Sequence, residues 1–160
     1  MDFRPKTCCF TGHRNIPPRE MSRLETSAEL AVKDLYQQGY RYFGVGGALG
    51  FDTAMAKLLF RLRRNGLSDI KVILVYPFAD FTSRWTPIQQ QEFRNLFRQY
   101  DKTVCVSETP SRDAYLARNR HLVNGSSVCI AYCVDDASGT GYTVRYALEH
   151  GLRVINLANA

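Results

Sequence analysis

The chain has no apolar run approaching the roughly 20 residues that a membrane span needs, and its opening residues, Met1 to Lys6, carry no apolar signal segment. Both absences argue against export and against a membrane partner, so a cytoplasmic protein is expected. Cysteine is sparse and odd in number: five residues, none in C-x-x-C spacing, which speaks against a disulfide framework and suits a reducing compartment. Cys8, Cys9, Cys105, Cys129 and Cys133 all lie in or beside apolar runs and read as small buried hydrophobes. No histidine stands well placed beside Cys129 and Cys133, and no metal site is expected. Linkers, internal repeats and low-complexity stretches are also missing, so residues 1–160 are read as one domain.

What is present begins with charge. The net charge of +6 and pI near 9.2 rest mostly on arginine, whose planar fork suits phosphate or carboxylate. The basic residues are spread along the chain rather than gathered into a tail. Nucleic acid is therefore admitted as a partner, behind a small anionic ligand. The densest cluster, Arg61, Arg63 and Arg64, falls late in a helix and reads as a solvated end favoured by the helix dipole.

Apolar runs with β-branched residues alternate with helical patterns throughout. Thr7 to Thr11 reads as a buried first strand, followed by a helix opened by Pro17 and Pro18 and ending near Gly39. A second strand, Tyr42 to Val45, precedes a helix in which Phe51, Met55, Leu58, Leu59 and Leu62 share one face. Further strands are expected at Lys71 to Val75, Thr103 to Val106, Val128 to Tyr132 and Arg153 to Leu157. Between them the spacing predicts helices from about Ile88 to Gln99, Asp113 to Val123 and Tyr142 to His150. The connection from Tyr76 to Pro87 is longer and rich in aromatics, including the single tryptophan, Trp85, and reads as a lid. The fold class this predicts is α/β, a doubly wound, mostly parallel sheet of about six strands with helices on both faces. In such sheets ligands bind beyond the carboxyl ends of the strands, where strand order reverses.

Three strand exits carry chemistry suited to that place. Gly12-His13-Arg14 offers two anion donors after the first strand. Gly46, Gly47 and Gly50 lead into a helix with Asp52 in its first turn; glycines here let backbone N–H groups approach a phosphate at the helix start. The spacing is neither G-x-G-x-x-G nor a P-loop, since Gly44, Gly46 and Gly50 are one residue too long and no Lys-Ser/Thr follows. The third exit is a second glycine turn, Gly139-Thr140-Gly141.

Cys9-Phe10-Thr11-Gly12-His13-Arg14, Gly46-Gly47-Ala48-Leu49-Gly50-Phe51-Asp52, Arg118-Asn119-Arg120 and Gly139-Thr140-Gly141-Tyr142-Thr143-Val144 together resemble the YpsA-like branch of the SLOG superfamily. That superfamily groups a Rossmann-like domain of the DNA-processing protein DprA (Smf) with the LOG phosphoribohydrolases that activate cytokinins. The resemblance spans nearly the whole chain and implies a Rossmann-like sheet that holds a nucleotide or nucleotide-derived ligand, such as an ADP-ribose-like molecule or a nucleoside phosphate, across its glycine turns. It places Gly46, Gly47 and Gly139 to Gly141 in a phosphate and ribose cradle, with Thr140 capping its helix, and Arg118 and Asn119 on phosphate or ribose hydroxyls. A mid-helix Arg-Asn pair facing solvent is the alternative. Asp52 is either a partner of the helix dipole or a ribose contact or general base. His13 is a candidate proton carrier. Trp85 and Tyr142 are candidates to stack on a base, or are core aromatics.

One departure bears on catalysis. LOG enzymes resemble P-G-G-x-G-T-x-x-E at the second turn, and the alignment puts Thr143 where their glutamate assists N-glycosidic cleavage. Threonine supplies no carboxylate, and such cleavage generally relies on one. Glu149, further along, substitutes only if the geometry differs. The leading expectation is therefore a ligand-binding sensor or regulatory module without a resident cofactor. A phosphoribohydrolase using Asp52 or Glu149 comes second, and a DprA-like binder of single-stranded DNA third. Self-association through helix faces is expected of this architecture.

Overall fold

The computed structural model describes residues 1–159. Six strands form one wholly parallel sheet: β1 (Thr7–Gly12), β2 (Tyr42–Val45), β3 (Lys71–Tyr76), β4 (Lys102–Cys105), β5 (Val128–Tyr132) and β6 (Arg153–Asn156). Between them run α1 (Pro18–Gln37), α2 (Phe51–Arg64), α3 (Pro87–Phe97), α4 (Arg112–Asn124) and α5 (Gly139–Glu149). This is the α/β, Rossmann-like arrangement that the alternating pattern predicts. The strand order is β4-β3-β2-β1-β5-β6.

The strands read as continuous apolar runs because helices cover both sheet faces, and alternate residues feed different cores. Cys8 and Phe10 of β1, with Val128, Ile130 and Tyr132 of β5, meet the buried faces of α1 and α2 in one cluster. Cys9, Cys129 and Ala131 point the other way, against Leu122 and Val123 of α4 and Ala147 of α5. The α1 stripe is Leu24, Ala28, Val32 and Leu35, and the α2 stripe includes Phe51, Met55, Leu59 and Leu62. Fully burying each large apolar side chain of this kind stabilises by about 1.5–3 kcal/mol.

Several helix boundaries differ from expectation, the fourth helix by one residue at each end. The third helix is shifted, starting at Pro87 behind a capping box in which Thr86 and Gln89 exchange bonds. The fifth starts at Gly139 rather than Tyr142, because Ser138 accepts from Gly141 N at 3.0 Å and so closes the first turn three residues early. The fourth strand is an edge strand one residue earlier than its apolar run suggests.

From β1 the chain steps outward through β2, β3 and β4, then crosses back to lay β5 on the other side of β1. The direction of winding therefore reverses between β1 and β5. Their carboxyl ends, Gly12 and Tyr132, lie in register and open the crevice described next. Among the described residues no helix is long and apolar enough to cross a membrane.

Candidate functional site

The β1 exit is laid directly on the start of α2. Phe51 N donates to His13 O at 3.1 Å, and Gly50, with φ of 79°, has space for no side chain: a Cβ would stand 2.1 Å from Arg14 O. Gly12 is equally confined, since its Cβ would fall 2.3 Å from the Phe51 ring. These glycines serve backbone packing. His13 reaches across the crevice mouth, its Nε2 accepting from Val134 N at 2.9 Å. That bond places the ring proton on Nδ1 and ties the β1 exit to the β5 exit.

Asp52 lies in the first turn of α2 and is only 6% exposed. Its Oδ2 accepts from Ala48 N at 3.2 Å, while Oδ1 is buried with no hydrogen-bond partner. Burial pushes the carboxyl up to about 6, against the opposing pull of the Arg118 guanidinium, the Ala48 N–H and Arg14. Arg118, 5% exposed on α4, donates from Nη1 to Gly46 O. Burial lowers the pKa of its guanidinium, and Asp52 resists that shift. Gly46 admits both side chains: a Cβ there would be 2.8 Å from Arg118 Nη1 and from Asp52 Oδ2.

Arg118 is also held from behind. Its Nε donates to Asn119 Oδ1 at 2.7 Å, and Asn119 Nδ2 donates to Thr143 Oγ1 at 2.9 Å. Thr143, 2% exposed, donates in turn to Gly139 O at 3.0 Å. A continuous hydrogen-bonded chain therefore joins the first turn of α5 to the turn before α2. Thr143 forms the α5 end of this brace, so the residue that the alignment sets against the LOG glutamate holds the Asn119 amide in place.

The crevice so formed has a volume of about 530 Å³. Gly12, His13, Arg14, Asp52, Arg118 and Asn119 line one side, with Gly139 and Thr140 at the other. Gly46 and Gly47 are buried and are not among its lining residues; a Cβ at these positions would meet Asp52 and Arg118, and Leu74, respectively. Gly50 faces a neighbouring hollow, and Gly141 is buried because Asp136 O would lie 2.2 Å from a Cβ there. Thr140 is not the cap; Ser138 is. Tyr142 stacks on Tyr146 and its hydroxyl accepts from Arg120 at 3.2 Å, outside the crevice. Glu149 is exposed on the last turn of α5, about 15 Å of helix rise from Gly139, too far to act for Thr143.

Several lining residues escape sequence reasoning. Tyr115 carries the Arg118 guanidinium 5.9 Å from its ring centre, and only its position one turn before Arg118 hints at this. Ser138 is legible as an N-cap residue type. Nothing local marks Thr11, Ala48 or Val134. Among the described residues no three His, Cys, Asp or Glu side chains gather where an ion could be held.

Comparison with known proteins adds the following. A sequence profile described as the YspA SLOG family matches residues 17–152. A UPF0398 protein of Staphylococcus epidermidis is 27% identical over 117 residues, covering 69% of this chain and 62% of that protein. A UPF0398 protein of Shouchella clausii is 22% identical over 87 residues, covering 54% and 46%. The chain thus spans less than two thirds of the length of these relatives. Among solved structures, DNA processing protein A from Helicobacter pylori, studied for its single-stranded DNA binding mode, superposes with a TM-score of 0.66 at 20% identity, over 98% of this chain and 71% of that one. DNA processing protein A from Streptococcus pneumoniae gives 0.63 at 18% identity, over 92% and 48%. These likenesses concern the fold.

Proposed function

The chain belongs to the YspA SLOG family, and from that premise we propose that it binds a nucleotide-derived ligand, ADP-ribose-like or a nucleoside phosphate, as a cytoplasmic sensor or regulatory module. The observation that carries this reading is Asp52, a crevice-lining carboxyl whose Oδ1 is buried without a hydrogen-bond partner, together with the buried Arg118 guanidinium that lines the same crevice. A buried acceptor left unmade costs about 1–3 kcal/mol, so a donor supplied by a ligand recovers that penalty. A ribose hydroxyl is such a donor. Arg14 at the mouth and the first turn of α5 supply positive potential for the phosphate that accompanies it.

A hydrolytic reading turns on Asp52 alone. Its carboxyl, pushed up to about 6, has the proton affinity of a general acid. The second carboxylate that N-glycosidic cleavage usually employs has no counterpart at Thr143. Binding without turnover is therefore the reading the site supports best. The excess of positive charge and the fold shared with a single-stranded DNA binder favour one further reading, a strand laid across the same crevice.

Calorimetry with ADP-ribose, AMP and an oligothymidylate separates these outcomes. Saturable binding of ADP-ribose or AMP, with no ribose 5-phosphate released on chromatography, is expected. Release that Asp52→Asn abolishes would establish the hydrolase. Binding of the oligonucleotide alone, weakening steeply between about 50 and 200 mM salt, would establish the nucleic-acid reading. A folded protein that binds none of the three contradicts the proposal.

A further inference from the structure

The connection between β3 and α3 is not a loose lid. Ser83 N bonds Asp80 O at 3.0 Å, Trp85 N bonds Thr82 O at 2.9 Å, and Gln90 Nε2 reaches back to Thr82 O at 2.8 Å. Its aromatics are anchored as well. Trp85 meets Phe81 and Phe93 edge-on, with ring centres 5.5 and 5.9 Å away, and Phe81 is buried. Together with Tyr115 from α4, whose ring stands edge-on to Phe78 at 5.5 Å, this connection walls a second cavity of about 590 Å³.

Arg14 and Tyr115 line both this cavity and the Asp52 crevice, so the two hollows adjoin. One is lined by Asp52, Arg118 and Asn119, with the orphan carboxylate oxygen buried behind its surface. The other presents four aromatic side chains, Phe78, Phe81, Trp85 and Tyr115, with Asp80 and Gln89 among its polar groups. We propose that the second cavity is a nucleobase subsite: a ligand whose ribose meets Asp52 lays its base against Trp85 and Tyr115, with Arg14 beside the junction. This rests on the nucleotide reading of the crevice and adds the part of the ligand that confers selectivity. Base stacking on aromatic rings tolerates any base, and the polar groups of the wall can reach its edge. The base belongs either to a free nucleotide or to a single strand, since both present the same ring.

Trp85 is the one tryptophan of the chain, so its emission reports this wall. AMP, ribose 5-phosphate and an oligothymidylate are titrated in turn, with affinity from calorimetry and tryptophan fluorescence read in parallel. AMP is expected to bind at least about tenfold more tightly than ribose 5-phosphate, the effect of stacking one base, and to quench Trp85 where ribose 5-phosphate does not. Trp85→Leu and, independently, Phe78→Leu are expected to bring AMP down to the affinity of ribose 5-phosphate and leave the latter unchanged. If the first variant does not fold, the second and the wild-type quench still decide. Quenching by the oligonucleotide without binding of AMP assigns the subsite to a strand. Equal affinities for AMP and ribose 5-phosphate with unaltered emission would overturn the subsite and leave the crevice reading standing. Binding of none of the three would overturn both.

Discussion

The two turns that face each other across the crevice resolve their polar groups in opposite ways. At residues 135–141 the local bonds close on themselves. Ala137 N donates to Asp135 Oδ1 at 3.0 Å, Ser138 Oγ to Asp135 O at 2.6 Å, and Gly141 N to Ser138 Oγ at 3.0 Å. At residues 46–52 three tightly packed glycines, Gly46, Gly47 and Gly50, accompany a carboxylate and a guanidinium in the interior, and one carboxylate oxygen is left bare. The first arrangement stabilises a helix start; the second leaves an unmet acceptor on a residue that lines the crevice. A native protein keeps a buried polar atom unsatisfied where something else satisfies it, so function is assigned to the 46–52 side, with the 135–141 side as its frame.

That contrast can be broken from the Arg118 side first. Arg118→Met leaves Gly46 O and Asn119 Oδ1 without their donor and Asp52 without a neighbouring charge, and is expected to cost about 3–5 kcal/mol in urea unfolding, at about 1–3 kcal/mol for each buried group left unmade. A loss no greater than that of an ordinary surface change would mean that these groups are not coupled.

Next in size is the pH dependence of Asp52. Its carboxyl titrates at 3.8 ordinarily and at about 6 in the fold, so the folded state holds the proton more tightly. The stabilising contribution is complete below pH 3.8 and is lost as pH rises through about 6, an effect of about 3 kcal/mol. Unfolding followed from acid to neutral pH is expected to show this slope in the native chain and to lack it in Asp52→Asn.

The glycines sharpen the comparison further. Gly50→Ala forces a side chain into φ of 79° against Arg14 O, and about 1–3 kcal/mol of destabilisation is expected. Gly139→Ala meets nothing within 4 Å in a helical position and is expected to be neutral or to stabilise by up to about 1 kcal/mol. Thermal denaturation of the two variants reads the difference in sign. Smallest is Ser138→Ala, which removes the α5 cap at about 1 kcal/mol and is expected to leave the Asp52 pH slope intact.

The order of elements was legible because each parallel strand is a compact apolar run and each helix carries a periodic stripe; burial on both sheet faces writes itself into composition. The crevice residues were legible in part. Asp52 and His13 follow strand ends, where the topology places ligands, and Arg118-Asn119 was reached through family resemblance. Its orientation was not accessible locally: a mid-helix Arg-Asn pair reads as solvated, and what buries Arg118 is a carbonyl 72 residues away at Gly46. Gly46 and Gly47 show the matching ambiguity. Glycine admits a phosphate or a neighbouring side chain equally well, and only the packed structure distinguishes them. The cap at Ser138 lay beside an equally plausible threonine, and two residues decided where α5 begins.

The most direct measurement is the affinity for ADP-ribose by calorimetry between about pH 5 and 8, in the native chain and in Asp52→Asn, because the phosphates of this probe do not themselves titrate in that range. If Asp52 Oδ1 receives a ligand hydroxyl, native affinity falls as pH drops through about 6, where Asp52 takes up its proton, while Asp52→Asn binds weakly and without that slope. Native affinity that stays constant across the range, or an Asp52→Asn variant that binds as tightly as the native chain, would contradict the assignment of Asp52 to the ligand.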